Sequence, residues 1–551
     1  MSENLSKLAG RKGLESPLFE QLVDHSKKNG TVDDGVKRAL AQEFLVGNAN
    51  VEGTVSFYDF LKESNKGKKV YVCNGSACLL AGTQEKLTSK LKKHFKDEEI
   101  GHMCCLGRCH ENAAFYYKGS NYSGSASESL DNILTGKLLN GEDNYYVGGN
   151  LQSPILTGPT PDFGQFFSFL EKCLNSPKLE ILEEIKVSNL RGRGGAGFPM
   201  GLKLESCMNT KSEQKFVVCN ADEGDPGAYS DRYIMEKQGH LLLFGMMMAA
   251  YVVGANRGVL YIRGEYPESI HEIRKEIERF REARMLGKNI KGTGFDFEFK
   301  IIEGAGAYIC GEETALLSSI EGQRPEVRVR PPFPTQEGLF NLPTVVNNVE
   351  TSASVYDILL NSGEKYASMG NGKSTGSKLV CLDSFFNRPG LYEVKMGTAL
   401  REVIEDMGMG FKSDVKAIHV GGPLGGIVPV HKIPDLTLDF ESFAKEGFLL
   451  GHASIISIPA DFPMIKYLEH LFEFTADESC GKCFPCSIGS VRGKELLQKA
   501  QNEGYKVDYK LMDDLLETLE IGSLCALGGG LPLGIKNALK YFEGELKTYF
   551  S

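Results

Sequence analysis

The residues most suited to chemistry in this 551-residue chain are cysteines near its C-terminus. The segment ESCGKCFPC carries Cys480, Cys483 and Cys486 at C-x2-C-x2-C spacing, and Cys525 follows in GSLCALG. Such a loop presents three thiolates to three corners of an iron–sulfur cubane, and one remote thiolate closes the site. Structural zinc is the alternative, but it usually takes paired C-x2-C hooks. The spacing therefore favours a [4Fe–4S] cluster with these four cysteines as ligands.

A second set of cysteines lies in the N-terminal part of the chain. NGSA separates Cys73 from Cys78, and LGR separates Cys105 from Cys109. Four thiolates in two hooks can hold a [2Fe–2S] cluster with two ligands per iron, while zinc or a redox disulfide are the alternatives. Because Cys104 adjoins Cys105, the spacing leaves open which of the two ligates.

A glycine-dense loop, RGRGGAGFPMG, spans residues 191–201. Its GxGxxG pattern would indicate a dinucleotide-binding turn only after a strand, whereas the preceding LEILEEIKVSNL predicts a helix. A GK[ST] ending is missing too, so we reject a P-loop. Glycines allow close backbone approach, and exposed N–H groups with Arg193 and Lys203 nearby suit a phosphate. A tight turn is the alternative.

Other segments place polar and aromatic groups beside flexible backbone. CNADEGDPG brings Asn220, Asp222, Glu223 and Asp225 after a predicted buried strand, where they could accept hydrogen bonds from sugar hydroxyls or an amide. A solvated turn is the alternative. GAGAYICGEETALL leads into a helix whose acidic first turn suits the helix dipole, and its tyrosine could stack on a planar cofactor. RVRPPFP offers a cation and a ring in a stiff loop.

Composition limits the class of protein. The formal charge is −10 and 41% of residues are apolar, which is typical of globular domains and unfavourable for a nucleic-acid binder. The polar N-terminus does not resemble a signal peptide, and the apolar run LLLFGMMMAAYVVGA (241–255) falls short of the roughly 18–20 residues of a membrane span. We therefore expect a cytoplasmic protein with a buried helix at 241–255 and unpaired cysteines.

The order of elements predicts several layers. Helical spacing covers 13–65, a small α/β unit follows, and 141–161 is turn-rich like a linker. From 162 to 365 strand-like and helix-like segments alternate, which favours a layered α/β domain. Short strands dominate 377–460, and helices return over 461–551.

These motifs combine a site for a phosphate-bearing planar cofactor with one-electron clusters, and a flavin is the expected converter between them. GRGGAGFP, CNADEGDPGA, GAGAYICGEETAL, PPFP, NNVET and ESCGKCFPC resemble the flavin-bearing NADH dehydrogenase subunit of respiratory complex I, from about residue 180 to the C-terminus. The first 140 or so residues resemble the thioredoxin-like [2Fe–2S] subunit of the same complex, here fused in front. This fusion is similar to the diaphorase subunits of soluble NAD-reducing hydrogenases and NAD-dependent formate dehydrogenases.

The resemblance implies that FMN lies against the glycine loop and that NAD(H) meets it there. The residues it implies near FMN are Gly192, Arg193, Gly194, Lys203, Asn220, Asp222, Glu223, Tyr308, Asn347, Asn348 and Thr351. Those it implies near the dinucleotide are Glu313, Arg330 and Phe333, and we also expect Gly195, Asp225, Gly311 and Glu312 to bind a cofactor. Asp225 stands where complex I relatives usually carry Glu, so the resemblance does not fix the nicotinamide contact.

The resemblance also implies a multidomain α/β fold in five parts. They are an N-terminal helical segment (1–65), a thioredoxin-like [2Fe–2S] domain (66–145), an α/β FMN- and NADH-binding domain (146–370), a β-grasp ligand-binding-like domain (371–460) and a helical [4Fe–4S] domain (461–551).

The main hypothesis is a diaphorase subunit. Nicotinamide would exchange a hydride with N5 of FMN, and single electrons would pass through the clusters to or from a partner hydrogenase or formate dehydrogenase carrying further electron-transfer subunits. A complex I-type or electron-bifurcating assembly is the alternative within the same class. A zinc-stabilised scaffold without redox activity is the alternative from another class.

Overall fold

The computed structural model describes residues 10–137 and 143–551. The start of the predicted linker, and of the predicted N-terminal segment, lies outside the described residues. Three larger sheets and one two-stranded ribbon are accompanied by a C-terminal group of helices. Within the two described ranges, no helix is both long and apolar enough to cross a membrane.

The N-terminal helices pack on the central sheet of the molecule. They are α1 (Leu18–Asn29), α2 (Asp34–Phe44) and α3 (Asn48–Val55). Phe19 and Tyr58 share one apolar core with Phe216 and Val259 of that sheet. These helices therefore cover a face of the sheet that would otherwise be exposed to water.

A small α/β unit follows. Its elements are β1 (Val70–Cys73), α4 (Ser76–Leu80), α5 (Gln84–Leu91), β2 (Ile100–Met103), β3 (Phe115–Tyr117), β4 (Ser120–Tyr122) and α6 (Leu130–Leu134). The strand order is β2-β1-β3-β4, with β1 and β2 parallel and the other pairs antiparallel. All four residues of β1 are buried, as a central strand requires.

The central unit is a parallel sheet of order β8-β7-β6-β9 between helices. Its strands are β6 (Phe216–Ala221), β7 (Arg257–Ile262), β8 (Glu298–Glu303) and β9 (Thr344–Asn348). Its helices are α7 (Phe163–Leu174), α8 (Lys178–Val187), α9 (Met200–Asn209), α10 (Ser230–Lys237), α11 (Gly239–Val253), α12 (Pro267–Glu282), α13 (Glu313–Ile320), α14 (Val349–Ala353), α15 (Val355–Asn361) and α16 (Gly363–Ala367). Helix α11 is buried except at Tyr251, which confirms the predicted buried helix. A helix, α8, precedes the glycine loop, which confirms that the loop is not an ordinary Rossmann turn.

The next unit is built on a six-stranded mixed sheet of order β15-β14-β16-β12-β13-β5. It contains β5 (Tyr146–Gly149), β12 (Ser377–Leu382), β13 (Gly390–Lys395), β14 (Val415–Val420), β15 (Gly426–Pro429) and β16 (Ser454–Pro459), with the ribbon β10 (Gly370–Asn371) and β11 (Ser374–Thr375) and the helices α17 (Leu400–Glu402) and α18 (Phe440–Lys445) beside it. Strand β5 lies in the stretch that we predicted to be a linker, and it pairs in parallel with β13. The buried Glu393 carboxylate accepts hydrogen bonds from the N–H groups of Ile155, Leu156 and Thr157, which anchors this stretch. Because β13 and Glu393 lie far from this stretch in sequence, no local sequence pattern could predict the strand.

Five helices complete the chain. They are α19 (Met464–Glu478), α20 (Phe484–Asn502), α21 (Tyr509–Gly522), α22 (Ala526–Tyr541) and α23 (Glu543–Leu546). The architecture confirms the predicted multidomain α/β class.

Candidate active site and cysteine sets

The glycine-dense loop joins α8 to α9 and folds back on itself. The Gly192 N–H donates to the Phe198 carbonyl at 2.9 Å. Gly195 and Gly197 adopt φ values of +116° and +63°, which residues with a Cβ disfavour. The conformation of the loop therefore depends on glycine at these two positions.

The loop lies against the carboxyl ends of β6 and β9. The Arg193 N–H donates to Thr351 Oγ1 at 2.8 Å, and a Cβ at Gly194 would lie 3.1 Å from the Asn348 Cβ. Asn348 is in turn the register partner of Asn220 on the neighbouring parallel strand. Predicted site residues from three separate segments thus meet at one sheet edge, where open α/β sheets bind ligands.

Buried polar atoms at this edge fit a polar ligand. Among the described residues, Asn347 Nδ2 and Asp222 Oδ2 are buried without a hydrogen-bond partner, whereas Asn220 Nδ2 donates to the Gly311 carbonyl at 2.7 Å. Such groups normally have partners. Burial raises the pKa of Asp222 well above its usual range, so its carboxyl can also donate. The residues present therefore fit FMN, which carries carbonyl, ring-nitrogen and phosphate groups.

A charged cluster lies beside the loop. Lys203 Nζ donates to the Val346 carbonyl at 2.8 Å and lies 3.7 Å from Glu313 Oε2. Arg330 donates to Glu313 Oε1 at 2.9 Å and lies 3.8 Å from Glu312. Burial lowers the pKa of Lys203. Two cations alternate with two carboxylates here, a donor and acceptor set that suits phosphates and ribose hydroxyls.

Two of the predicted carboxylates also cap helices. Glu312 accepts from the Thr314 N–H at 2.9 Å, and Glu223 accepts from the N–H groups of Asp231 and Arg232 at 2.9 and 3.1 Å. Burial raises the pKa of Glu223 to about 7. The capping contacts, which we considered as the alternative for the acidic turn at Glu312, hold these side chains in place next to the site.

Two rings of the predicted segments are exposed to solvent, whereas the side chain of one predicted cation is buried against other groups. Phe333 and Phe198 are 53% and 52% exposed. Phe198 was not among the predicted site residues, although it follows the glycines directly. The buried Arg193 guanidinium donates to the Tyr366 hydroxyl at 3.2 Å and to the Thr375 carbonyl at 2.5 Å. Arg193 therefore reaches the sheet edge with its backbone rather than its side chain.

Asp225 contacts two distant parts of the chain. The Tyr308 hydroxyl donates to Asp225 Oδ1 at 2.7 Å, and His452 Nε2 lies 2.8 Å from Asp225 Oδ2. His452 carries no sequence signal, because it is an isolated histidine before a strand of another unit. Tyr308 and Asp225, both predicted from sequence, are thus in direct contact.

The N-terminal cysteines converge in a buried position. Cys73 ends β1, Cys78 lies in α4, and Cys105 and Cys109 follow β2, each at most 2% exposed. The Sγ atoms of Cys105 and Cys109 are 3.4 Å apart. Cys104 is half-buried and lines a cavity of about 440 Å³, and its Sγ also lies near Cys73, since a Cβ on Gly75 would lie 3.4 and 3.5 Å from the two sulfur atoms. The direct contact with Cys109 favours Cys105 over Cys104 as the fourth member of the set.

A backbone contact and a buried cation connect this set to the sheet edge at Asn220, Asp222 and Asn348, which we call the flavin edge. The Gly227 N–H donates to Cys109 Sγ at 3.1 Å. The Arg263 guanidinium, 2% exposed, donates to the carbonyls of Cys104 and Glu223. Sequence reasoning missed Arg263, because a lone arginine after a strand carries no motif.

The C-terminal cysteines lie at helix ends. Cys480 and Cys483 occupy the loop between α19 and α20, Cys486 lies in the first turn of α20, and Cys525 precedes α22. Within the described part of the chain, no three His, Cys, Asp or Glu side chains are grouped as ligands of a single metal ion. Burial raises the pKa of Cys486 to about 11 and that of Cys525 to about 12. Iron would supply the positive charge that such thiols need to ionise, and the helix N-termini favour the resulting negative charge.

The loop that carries Tyr308 also touches this second set. The Tyr308 N–H donates to Glu478 Oε2 at 2.9 Å, and its ring centroid lies 4.8 Å from that of Phe474. Arg324 Nε donates to the Cys480 carbonyl at 3.0 Å. The flavin edge therefore contacts both cysteine sets through short chains of residues.

Three protein-family models match the chain. A thioredoxin-like [2Fe–2S] ferredoxin model covers residues 6–137, the Nuo51 FMN-binding domain covers 185–357, and the iron–sulfur binding region of NADH-ubiquinone oxidoreductase F covers 466–549. These ranges contain all eight predicted cysteine ligands.

Similar proteins cover most of the chain. The NAD-reducing hydrogenase HoxS subunit alpha of Cupriavidus necator is 33% identical over 95% of this chain and 90% of its own length. An F-type subunit of NADH-quinone oxidoreductase from Rhizobium meliloti is 42% identical over 67% of this chain and 88% of its own length. A crystal structure of a NAD+-reducing [NiFe]-hydrogenase in the air-oxidized state contains a chain with a TM-score of 0.84 and 26% identity, covering 98% of this chain and 95% of that one.

The fold and the matches define a flavin-bearing diaphorase with fused iron–sulfur units. The chain belongs to the family of flavin-bearing NADH dehydrogenase subunits and carries the thioredoxin-like [2Fe–2S] unit in the same polypeptide. It is an oxidoreductase whose cofactors are FMN, NAD(H), a [4Fe–4S] cluster and a [2Fe–2S] cluster. This contradicts the zinc-stabilised scaffold considered from the sequence.

Proposed function

We propose that this chain is the diaphorase subunit of a NAD-reducing hydrogenase. The observation that carries the proposal is the full-length match: the hydrogenase relative and the hydrogenase structure cover 95% and 98% of this chain, including its fused N-terminal part. When bound, FMN accepts or gives a hydride and exchanges single electrons with the clusters. The chain's own residues bind, orient and shield the reactants.

A complex I-type role is the second candidate. The NADH-quinone oxidoreductase relative has the higher identity, 42%, but it matches only 67% of this chain. The hydrogenase relative matches 95% of this chain, so its match includes residues that the NADH-quinone oxidoreductase relative does not match. The coverage therefore favours a hydrogenase partner. A formate dehydrogenase partner remains the other prediction from the resemblance.

The proposed roles follow the geometry of the site. The glycine loop, Lys203, Asn347 and Asp222 would bind FMN, while Glu313 and Arg330 would face the dinucleotide. Each predicted cysteine set would hold its cluster, with Cys105 rather than Cys104 as the ligand. We retain the five predicted domain ranges as part of the proposal, except that β5 (Tyr146–Gly149) belongs to the sheet of the fourth range. The cytoplasmic location is also part of the proposal.

Electrons would leave near the C-terminal cysteines. The large apolar side chains exposed there include Phe484 at 78%, Ile521 at 76% and Ile488 at 51%. Because single-electron transfer needs a short distance, we propose that the partner subunit bearing the next iron–sulfur cluster covers this surface.

The proposal is tested with tagged protein purified under anaerobic conditions together with whatever it retains. FMN is quantified after denaturation, NADH bleaching is followed optically, and metals are measured by mass spectrometry. Flavin bleached by NADH together with nickel and iron supports the proposal. Molybdenum or tungsten instead of nickel would replace the hydrogenase partner with a formate dehydrogenase, and protein without flavin would overturn the function.

A further inference from the structure

His452 lies in the turn before β16, in the unit built on the six-stranded sheet, yet its imidazole reaches the flavin edge of the central sheet. Its Nε2 lies 2.8 Å from Asp225 Oδ2, and its side chain is only 11% exposed. The other oxygen of Asp225 accepts the Tyr308 hydroxyl at 2.7 Å. Both oxygens of one carboxylate are thus held by groups from separate parts of the chain.

Glycines allow this approach. Gly421 and Gly451 have φ values of +85° and +57°, and a Cβ on Gly451 would lie 2.7 Å from the Gly421 Cα. A Cβ on Gly422 would lie 2.5 Å from Asp225 Oδ1, and one on Gly195 would lie 3.8 Å from the Gly451 Cα. The turn that carries His452 is therefore packed directly on the glycine loop and on Asp225.

The charges around the pair favour its ionised form. Burial alone would raise the pKa of Asp225, but His452 and the Tyr308 hydroxyl outweigh it, so the pKa lies below its usual value. Burial lowers the pKa of His452, but Asp225 outweighs this and the net pKa is raised.

Other ionisable groups nearby shift the pKa of either His452 or Asp225. Glu223 raises and Lys378 lowers the pKa of His452. Arg263 lowers the pKa of Asp225, and Asp222 interacts with Asp225 as a like charge. His419 also faces Asp225, but burial lowers its pKa to about 4, so it is neutral near pH 7. His452 is therefore the histidine that supplies positive charge to this carboxylate.

We propose that His452 is a positioning residue that holds Asp225 in place as an anion, together with Tyr308, where the flavin and nicotinamide meet. The inference rests on the proposed function, because it assumes cofactors at this edge. It differs from the cofactor contact expected of Asp225, since it gives that carboxylate two protein partners and recruits a residue from another unit.

Two consequences follow. Loss of the imidazolium leaves a negative charge near the flavin, and reduction adds further negative charge, so the midpoint potential of FMN falls. Loss of orientation at Asp225 also lowers kcat/KM for NADH, by up to about 100-fold if the carboxylate moves by an ångström.

The test compares His452→Gln and His452→Lys with wild type, as cofactor-loaded protein. The control is His431→Gln, an exposed histidine of the same unit. For each protein, FMN content and bleaching by NADH are measured first. The FMN midpoint potential is then measured by optical titration at pH 7.5, and kcat/KM for NADH with ferricyanide between pH 6 and 9.5.

We expect a wild-type kcat/KM that falls at alkaline pH as His452 loses its proton. In His452→Gln, this alkaline decrease (the alkaline limb of the pH profile) should be absent. The variant should also have a lower kcat/KM and a lower FMN midpoint potential. His452→Lys should retain the potential and move the limb to higher pH, because an amine keeps its charge longer. His431→Gln should match wild type.

If wild type binds no FMN or is not bleached, the proposed function fails. If wild type is bleached but His452→Gln keeps its potential and pH profile, only the role of His452 is overturned. Should His452→Gln be insoluble, Asp225→Asn removes the same ion pair, and an unchanged alkaline limb in that variant would overturn the inference equally.

Discussion

Removal of the Arg263 guanidinium should loosen the contact between the N-terminal cysteine loop and the flavin edge. Arg263 is 2% exposed and donates to the Cys104 carbonyl at 3.2 Å, to the Glu223 carbonyl and to Glu265 at 2.5 Å. Glu265 is equally buried, and its carbonyl accepts from Asn121 of the small α/β unit at 2.7 Å. The Arg263 guanidinium thus binds groups from three segments of the chain.

The magnitude follows from this burial. Arg263→Met leaves the Glu265 carboxylate buried without its cation, and breaking a buried pair from one side costs about 3–5 kcal/mol. Because the chain has several units, a single unfolding free energy is poorly defined. The cost should instead appear as local opening, and about 3 kcal/mol corresponds to roughly 100-fold faster amide exchange.

Hydrogen–deuterium exchange followed by mass spectrometry measures this opening over residues 100–110. The double variant Arg263→Met with Glu265→Gln should recover part of the protection, since it removes the unpaired charge. The control Arg401→Met breaks an exposed pair with Glu405 and should change little. Unchanged exchange over 100–110 in Arg263→Met would show that this cation does not hold the cysteine loop in place.

Other predictions concern the clusters, acid stability and the partner. Cys105→Ala should abolish the electron paramagnetic resonance signal of the [2Fe–2S] cluster while Cys104→Ala keeps it; the reverse would reassign the ligand. Burial lowers the pKa of His419 in the folded chain from 6.5 to about 4. Its contribution to the free energy of unfolding is therefore fully present above pH 6.5, and about 3 kcal/mol of it is lost as pH falls toward 4. The thermal midpoints of wild type and His419→Gln should therefore converge on acidification, and a constant gap would contradict this. Phe484→Glu with Ile521→Glu should release the partner subunit but keep NADH–ferricyanide activity; retained association would argue against this docking surface.

Local chemistry in the sequence predicted much of the site. Cysteine spacing identified both sets, and the helical pattern before Arg191 correctly excluded a Rossmann turn. Polar residues after β6 and β9 meet because parallel strands bring their carboxyl ends to one edge.

What could not be predicted depends on long-range packing. His452 contacts Asp225 and Arg263 contacts Cys104 across more than 150 residues of sequence, and neither His452 nor Arg263 sits in a motif. Strand β5 has turn-forming glycines and is a strand only because β13 offers a free edge. The Arg193 side chain, which we expected near the phosphate, instead donates to the Tyr366 hydroxyl and the Thr375 carbonyl, both more than 170 residues away in sequence.

The transfer of single electrons from flavin to clusters can be observed in an anaerobic titration of the purified, cluster-containing protein with NADH alone. Optical spectra report the flavin, and electron paramagnetic resonance reports the clusters. We expect NADH to bleach the flavin and iron–sulfur signals then to appear without another reductant. A protein whose flavin is bleached while both clusters stay oxidised, under conditions where dithionite reduces them, would contradict this transfer.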